Sequence, residues 1–387
     1  MSSKKIVIFT NHFLPGNRAG GPVTSIANLT RLLNDNFEIT IVTSNKDLGV
    51  DEPYDEVEHD KVVNYNEFNI VYLSIINTNT VLNTINDIKP DLIYLNSFFS
   101  TFTQLVLFLF IKNKFETPII LAPRGELQEN ALAIKAFKKK VYLTVYKLMK
   151  MYKKVYFHVT DKIEYDRTKQ MFGVDNISTL PNVPKVSNEE PLSKDKNELK
   201  LIFISRIRDN KNLLLALQAL AKGQGNIIFD IYGPIEDNAY WEKCQVAMKE
   251  LPNHVVTEYK GIVEPTEISN VMRKYHALLL PTKTENFGHV IVEAMQSGII
   301  PIISDQTPWV ELEKHGAGWS LDLKDIESFT KAINALYVMD EKKYSNLSES
   351  TIQYINGKLD INELKEKYIE LFNKMLKFKR KENNVQK

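Results

Sequence analysis

A chain of 387 residues is longer than one hydrophobic core usually serves and predicts two domains. Its 49 basic and 48 acidic side chains leave a formal charge of +1, which excludes the basic footprint of a nucleic-acid binder, and its one cysteine, Cys244, excludes a disulfide framework. No apolar window approaches the roughly 20 residues that span a bilayer, and the opening MSSKKIVIFT has no hydrophobic leader pattern, so the expected location is the cytoplasm.

In chain order, residues 5–10 predict a buried strand, 11–21 (NHFLPGNRAGG) a loop, and 23–33 a helix with Pro22 at its first position. A strand follows at 37–43. This is a strand–helix–strand opening with a glycine-rich turn that lacks G-x-G-x-x-G spacing, so it carries no dinucleotide fingerprint. Gly20 and Gly21 either let backbone approach a ligand or make a flexible turn. Residues 47–69 read as an excursion with a small hairpin. Strands are expected at 71–74, 91–96 and 118–123, with a helix at 80–88 and a core helix at 98–111.

The last of these strands ends in PRGE. Arg124 there suits a phosphate or an acidic acceptor, or else pairs with Glu126 or Glu129. Residues 131–154 form a helical pattern with Lys135, Lys138, Lys139, Lys140, Lys147, Lys150, Lys153 and Lys154 among tyrosines. Such a stretch fits an anionic membrane surface or a lipid diphosphate, or is a plain solvated face. His158, in a strand at 156–160, reads as a packed residue. A helix at 161–171 ends at Gly173, and 184–200 reads as an interdomain hinge.

The second half starts with a strand at 200–205. Arg206 and Lys211 follow at its carboxyl end, with nothing acidic expected nearby except Asp209. Two cations there suit a leaving diphosphate, or are surface charges. A strand at 226–231 closes in Tyr232-Gly233-Pro234, where Gly233 offers close backbone approach. A helix at 240–251, a strand at 255–259, Gly261-Ile262-Val263 and a helix at 267–274 lead to residues 278–304. That stretch reads strand, loop, helix, strand. Its loop holds Glu285 and its helix Glu293. Backbone N–H groups of Asn286, Phe287, Gly288, His289 and Val290 gather around the helix N-terminus, a site for a diphosphate. Carboxylates beside an anion cradle suit the hydroxyls of a nucleotide-sugar, or are solvated charges. Helices are expected at 325–339 and 361–380, with 382–387 disordered.

The stretch LLLPTKTENFGHVIVEAMQSGIIPIIS resembles the Glu-x7-Glu signature of retaining glycosyltransferases of family 4, through Glu285, Phe287, Gly288, Glu293, Ala294, Gly298 and Pro301. The resemblance implies an α/β chain of GT-B fold: two Rossmann-like, doubly wound parallel-sheet domains facing a cleft. Residues 1–184 would bind acceptor and 198–364 nucleotide-sugar, with a helix at about 365–380 packing back on the first domain. It implies that Glu285 meets the donor sugar hydroxyls and Glu293 the ribose. Arg206 and Lys211 would hold the phosphates, Ile262 the nucleobase, and Gly21 would lie in the cleft loop. PRGELQENALAIKAFKKK is similar to a subset acting in bacterial surface polysaccharide assembly. Where relatives carry a His after strand 91–96 and another near PRGE, this chain has Asn96-Ser97 and Arg124.

The implied activity moves a hexose or N-acetylhexosamine, with retention, from a nucleotide-diphosphate sugar (UDP favoured) to a glycan or lipid-linked acceptor in lipopolysaccharide or capsule synthesis. A front-side mechanism without metal or cofactor is expected, because Arg206, Lys211 and the helix N-terminus carry the charge work. Peripheral contact with the inner membrane face through 131–154 goes with it. Two rivals stay open: a sugar-nucleotide epimerase, which turns over donor alone, and a non-catalytic two-domain binding protein.

Overall fold

Short runs of branched and aromatic residues, apolar on both faces, are what a strand covered by helices on either side requires. In the computed structural model, which describes residues 3–16, 18–133, 136–184, 193–194, 197–263 and 267–385, such runs build two sheets. The chain divides into one unit of Met1–Val183 with Ile361–Lys387 and a second of Pro184–Asp360.

In the first unit the strands are β1 (Lys4–Phe9), β2 (Phe37–Ser44), β3 (Val62–Tyr65), β4 (Phe68–Leu73), β5 (Leu92–Asn96), β6 (Ile119–Ala122), β7 (Tyr156–Val159) and β8 (Ile177–Thr179). Their order is β3-β4-β2-β1-β5-β6-β7-β8. All neighbours are parallel except β3 and β4, the hairpin that closes the excursion at the sheet edge. β4 starts earlier than its sequence pattern suggests because Phe68 is fully buried. The helix Thr101–Ile111 starts later than expected. Ser100 caps it by accepting the Thr103 N–H at 3.0 Å, which leaves Phe98 and Phe99 outside.

The second unit's strands are β9 (Leu199–Ile204), β10 (Ile227–Tyr232), β11 (Val255–Gly261), β12 (Ala277–Leu280), β13 (Ile300–Ser304) and β14 (Trp319–Leu321), in the order β11-β10-β9-β12-β13-β14 and all parallel. Strand order reverses between β1 and β5 in one sheet and between β9 and β12 in the other. At such a reversal the loops leaving the carboxyl ends diverge, and a crevice opens for a ligand.

Several parts of the chain depart from the sequence pattern, the short strand β8 among them. The stretch 131–154 is broken into the helices Glu129–Ala133 and Ala136–Leu148 and a 3-10 turn at Met151–Lys153, entered through left-handed Lys150; Lys135 lies outside the described residues. The helix Glu341–Lys358 and β14 have no counterpart in the pattern. That helix buries Tyr344, Ser348, Thr351 and Ile355, a stripe at helical spacing in which hydroxyls replace half the apolar groups. Ser348 donates to the Gly298 carbonyl at 2.6 Å and Tyr344 to the His276 carbonyl at 3.0 Å. The last helix runs Ile361–Val385, and 386–387 lie outside the described residues. It gives Leu364, Tyr368, Leu371, Phe372 and Met375 to the first unit's core. Of the expected hinge, 185–192 and 195–196 lie outside the described residues.

Candidate functional site

The loops after β9 and β12, the two strands at the second sheet's reversal, are tied together by protein contacts. After β9 the chain makes a 3-10 turn at Asp209–Lys211 and enters the helix Leu213–Leu220 through left-handed Asn212. After β12, residues 281–288 lead to the helix His289–Gln296. The Lys283 N–H donates to the Asn210 carbonyl at 2.8 Å, and its ammonium pairs with Asp209 at 2.7 Å. The Lys211 ammonium, buried, forms an ion pair with Glu285 Oε2. The other side of the β12 loop is held as firmly. The Glu285 N–H donates to the Gln306 carbonyl at 3.1 Å, and the Trp309 indole N–H donates to the Phe287 carbonyl at 2.6 Å. Phe287 packs edge-on against Trp309 and His289.

Gly288 caps the helix in the left-handed region (φ 72°). A Cβ there would stand 3.0 Å from Glu285 Cγ and 2.9 Å from Ile291 Cδ1, so glycine both permits the turn and leaves room for the Glu285 side chain over the helix end. No side chain caps this N-terminus, whose dipole favours an anion. Glu293, in the second turn, is buried at 6 % exposure. Asn286, His289 and Val290 are half-buried.

Arg206 has a different carboxylate partner. It pairs with Glu236 at 3.2 Å, and Arg208 pairs with the same carboxylate at 3.3 Å. The expectation that only Asp209 is acidic near these cations is therefore corrected: Glu285 and Glu236 are their partners, and Asp209 belongs to Lys283. Glu236 was missed because it lies 30 residues from Arg206. The signal available was topological, since β10 neighbours β9 and a carboxylate just past its end faces the loop after β9.

Gly233 is required by the protein itself. Its φ is 132°, and a Cβ would come 1.9 Å from the Ser205 carbonyl oxygen. Gly233→Ala should cost about 3 kcal/mol or more, read as a lower urea midpoint of the second unit. Ile262, after Gly261 (φ 83°), is 46 % exposed at the end of β11.

In the first unit, Arg124 ends β6 with φ 56° and makes no salt bridge to Glu126 or Glu129. Glu126 accepts the Phe99 N–H at 2.8 Å, and Glu129 pairs with Arg167 at 3.4 Å. The guanidinium donates instead to Asn96 Oδ1 at 2.7 Å, to the Tyr94 hydroxyl at 2.9 Å and to Asn182 Oδ1. Neutral acceptors leave its charge uncancelled by direct contact. Below it, buried Glu164 accepts N–H bonds from Gly125 at 2.6 Å and Thr160 at 2.7 Å, and burial pushes its carboxyl pKa up. Tyr94 passes the chain on to His158 Nδ1 at 2.7 Å, and His158 Nε2–H donates to the Leu180 carbonyl at 3.0 Å. His158 is thus a packed, neutral residue. Gly21 opens the helix Gly21–Leu33, with Pro22 second rather than first; Gly20 caps it at φ 63°, with open space where its Cβ would be.

Comparison with known proteins places this geometry. Residues 185–354 match the family model of the glycosyl transferases group 1. An uncharacterized 41.2 kDa protein in the cps region of Klebsiella pneumoniae is 22 % identical over 308 residues, 76 % of this chain and 81 % of its own. HepE of Anabaena, solved in complex with UDP and glucose, superposes with TM-score 0.73 at 15 % identity, over 96 % of this chain and 100 % of its own. Sucrose-phosphate synthase from Thermosynechococcus elongatus gives 0.74 at 14 %, over 96 % and 99 %. TarM of S. aureus, solved with Fondaparinux, alpha-GlcNAc-glycerol and UDP, gives 0.69 at 13 %, over 96 % and 100 %. What these structures share with this chain is the fold, two parallel-sheet α/β units of GT-B type.

Proposed function

We propose that this chain, with its match to the glycosyl transferases group 1 over residues 185–354, transfers a hexose or N-acetylhexosamine from a UDP-sugar to a hydroxyl of a glycan or lipid-linked acceptor. The observation that carries the proposal is the Lys211–Glu285 pair at the reversal between β9 and β12, beside an uncapped helix N-terminus. As the bond from sugar C1 to the diphosphate oxygen breaks, its electron pair leaves with the diphosphate. Lys211, Arg206 and the helix N–H groups meet that growing charge, where it lowers the barrier most. Glu285 accepts from donor sugar hydroxyls and fixes C1 toward the acceptor. The acceptor oxygen bonds to C1 on the departing face, and its proton goes to the leaving phosphate oxygen. That route retains configuration and uses no metal or second carboxylate. Glu293 takes the ribose, Ile262 the base, and Gly233 lies beside the donor. Arg124, whose direct hydrogen-bond acceptors are all neutral, attracts a phosphate or acid on the acceptor. UDP is favoured because HepE has been solved with UDP and with UDP-glucose. A surface polysaccharide is favoured by the relative in the cps region.

Melting with a panel of UDP- and GDP-sugars tests the donor: a ligand at a hundred times its Kd adds about 2.7 kcal/mol. With acceptor glycans, the stabilising donor should release UDP and form a product of unchanged anomeric configuration. Epimerised donor in the absence of acceptor, or binding without turnover, would overturn the reading.

A further inference from the structure

The helix Ala136–Leu148 has two apolar faces, and only one is used by the fold. Tyr142, Leu143 and Tyr146 pack into the first unit's core. On the opposite side Phe137 is 80 % exposed, Val141 50 %, Val145 45 % and Leu148 76 %. At 3.6 residues per turn these four lie in an arc of about 80°, a ridge three turns long. Lys138 borders the ridge on one flank, and Lys140 and Lys147 on the other. Residues 136–154 hold seven lysines and no carboxylate. Among the described residues none of the seven forms an ion pair, and Lys150, Lys153 and Lys154 extend the cationic surface past the helix end.

We infer that this face docks on an anionic bilayer, with the Phe137–Leu148 ridge in the boundary between headgroups and acyl chains and the lysines on anionic headgroups. Charge complementarity selects the partner's sign, and the ridge selects lipid over an acidic protein: cations alone serve a polyanion, whereas an apolar ridge flanked by cations on both sides matches a surface that is charged above and apolar beneath. Among the described residues no helix is long and apolar enough to cross a membrane, so this one lies on the surface. The inference does not depend on the sugar-transfer reading, and its test needs no activity.

The full chain should co-float with vesicles of about 30 % phosphatidylglycerol in phosphatidylcholine and not with phosphatidylcholine alone, and binding should fall at about 0.5 M salt. The double variant Phe137→Ser/Leu148→Ser and the triple variant Lys138→Gln/Lys140→Gln/Lys147→Gln should each weaken binding at least about tenfold, with unchanged melting midpoints. Phe137→Trp should show blue-shifted emission on vesicles, quenched by brominated lipid. No flotation with anionic vesicles, or an unquenched tryptophan, overturns the proposal. So does full binding by the apolar double variant when the lysine variant fails, which would make the face a polyanion site.

Discussion

Glu285→Ala should lower sugar transfer at least about 10³-fold while nucleotide affinity changes less than tenfold. The asymmetry follows from what the carboxylate touches. If it holds donor hydroxyls and the cation that meets the leaving charge, its contribution is made in the transition state and appears in kcat. A structural loss travels with it. Lys211 has a side chain only 9 % exposed, and removing Glu285 leaves that ammonium without its partner, a cost of about 3 kcal/mol. Two further variants separate the effects. Glu285→Gln keeps an acceptor for Lys211 and should fold close to the parent, yet transfer poorly. Lys211→Met with Glu285→Leu replaces the pair by apolar groups, and should recover most of the lost stability and none of the activity. A Glu285→Ala enzyme with near-parental kcat, or a double variant that recovers both, would mean that the pair only staples two loops.

The central strands were legible because parallel sheets write themselves as short, doubly apolar runs; β5, β6, β12 and β13 are buried along their whole length, whereas the three-residue β8 and β14 are not. The β12–helix–β13 unit was legible for the same reason, and Gly288 marked its helix start. What local patterning does not carry is sheet order, and every missed partner depends on it. Lys211 and Glu285 are 74 residues apart and meet because β9 and β12 are neighbours. Glu236 reaches Arg206 because β10 lies on the other side of β9. Asn96 and Arg124, the two places where the resemblance expects histidines, prove to be each other's partners at 2.7 Å across β5 and β6. Read singly, each was a departure from the family pattern; together they are one hydrogen-bonded unit. Trp309, which pins Phe287, likewise acts across a distance that no periodicity reports.

That same unit predicts how the first domain responds to acid. His158 sits fully buried between Tyr94 and the Leu180 carbonyl, and burial, reinforced by the nearby Arg124 charge, holds its pKa down at about 3. In the unfolded chain it titrates near 6.5. As pH falls below 6.5 the unfolded state takes a proton that the folded state refuses, so stability is lost from there down to about pH 3, at about 1.4 kcal/mol per pH unit. Between pH 7 and 5 the loss is on the order of 2 kcal/mol. His276 in the second unit, held by burial at about 4 while accepting the Lys200 N–H at 2.9 Å, adds a similar slope there. Glu164 works in the opposite sense, because a raised carboxyl binds its proton more tightly when folded, so the first unit must be read by difference. The urea midpoint of the parent should fall from pH 7 to 5 more steeply than that of His158→Gln, and the gap between the slopes is the histidine's share. Should that variant fold poorly, ring-carbon NMR of the parent reads the same quantity: the His158 resonance should stay at its neutral position down to pH 4. A midpoint near 6 would mean that the imidazole takes up a proton in the native state, and the relay from Arg124 through Tyr94 would then not lock its tautomer.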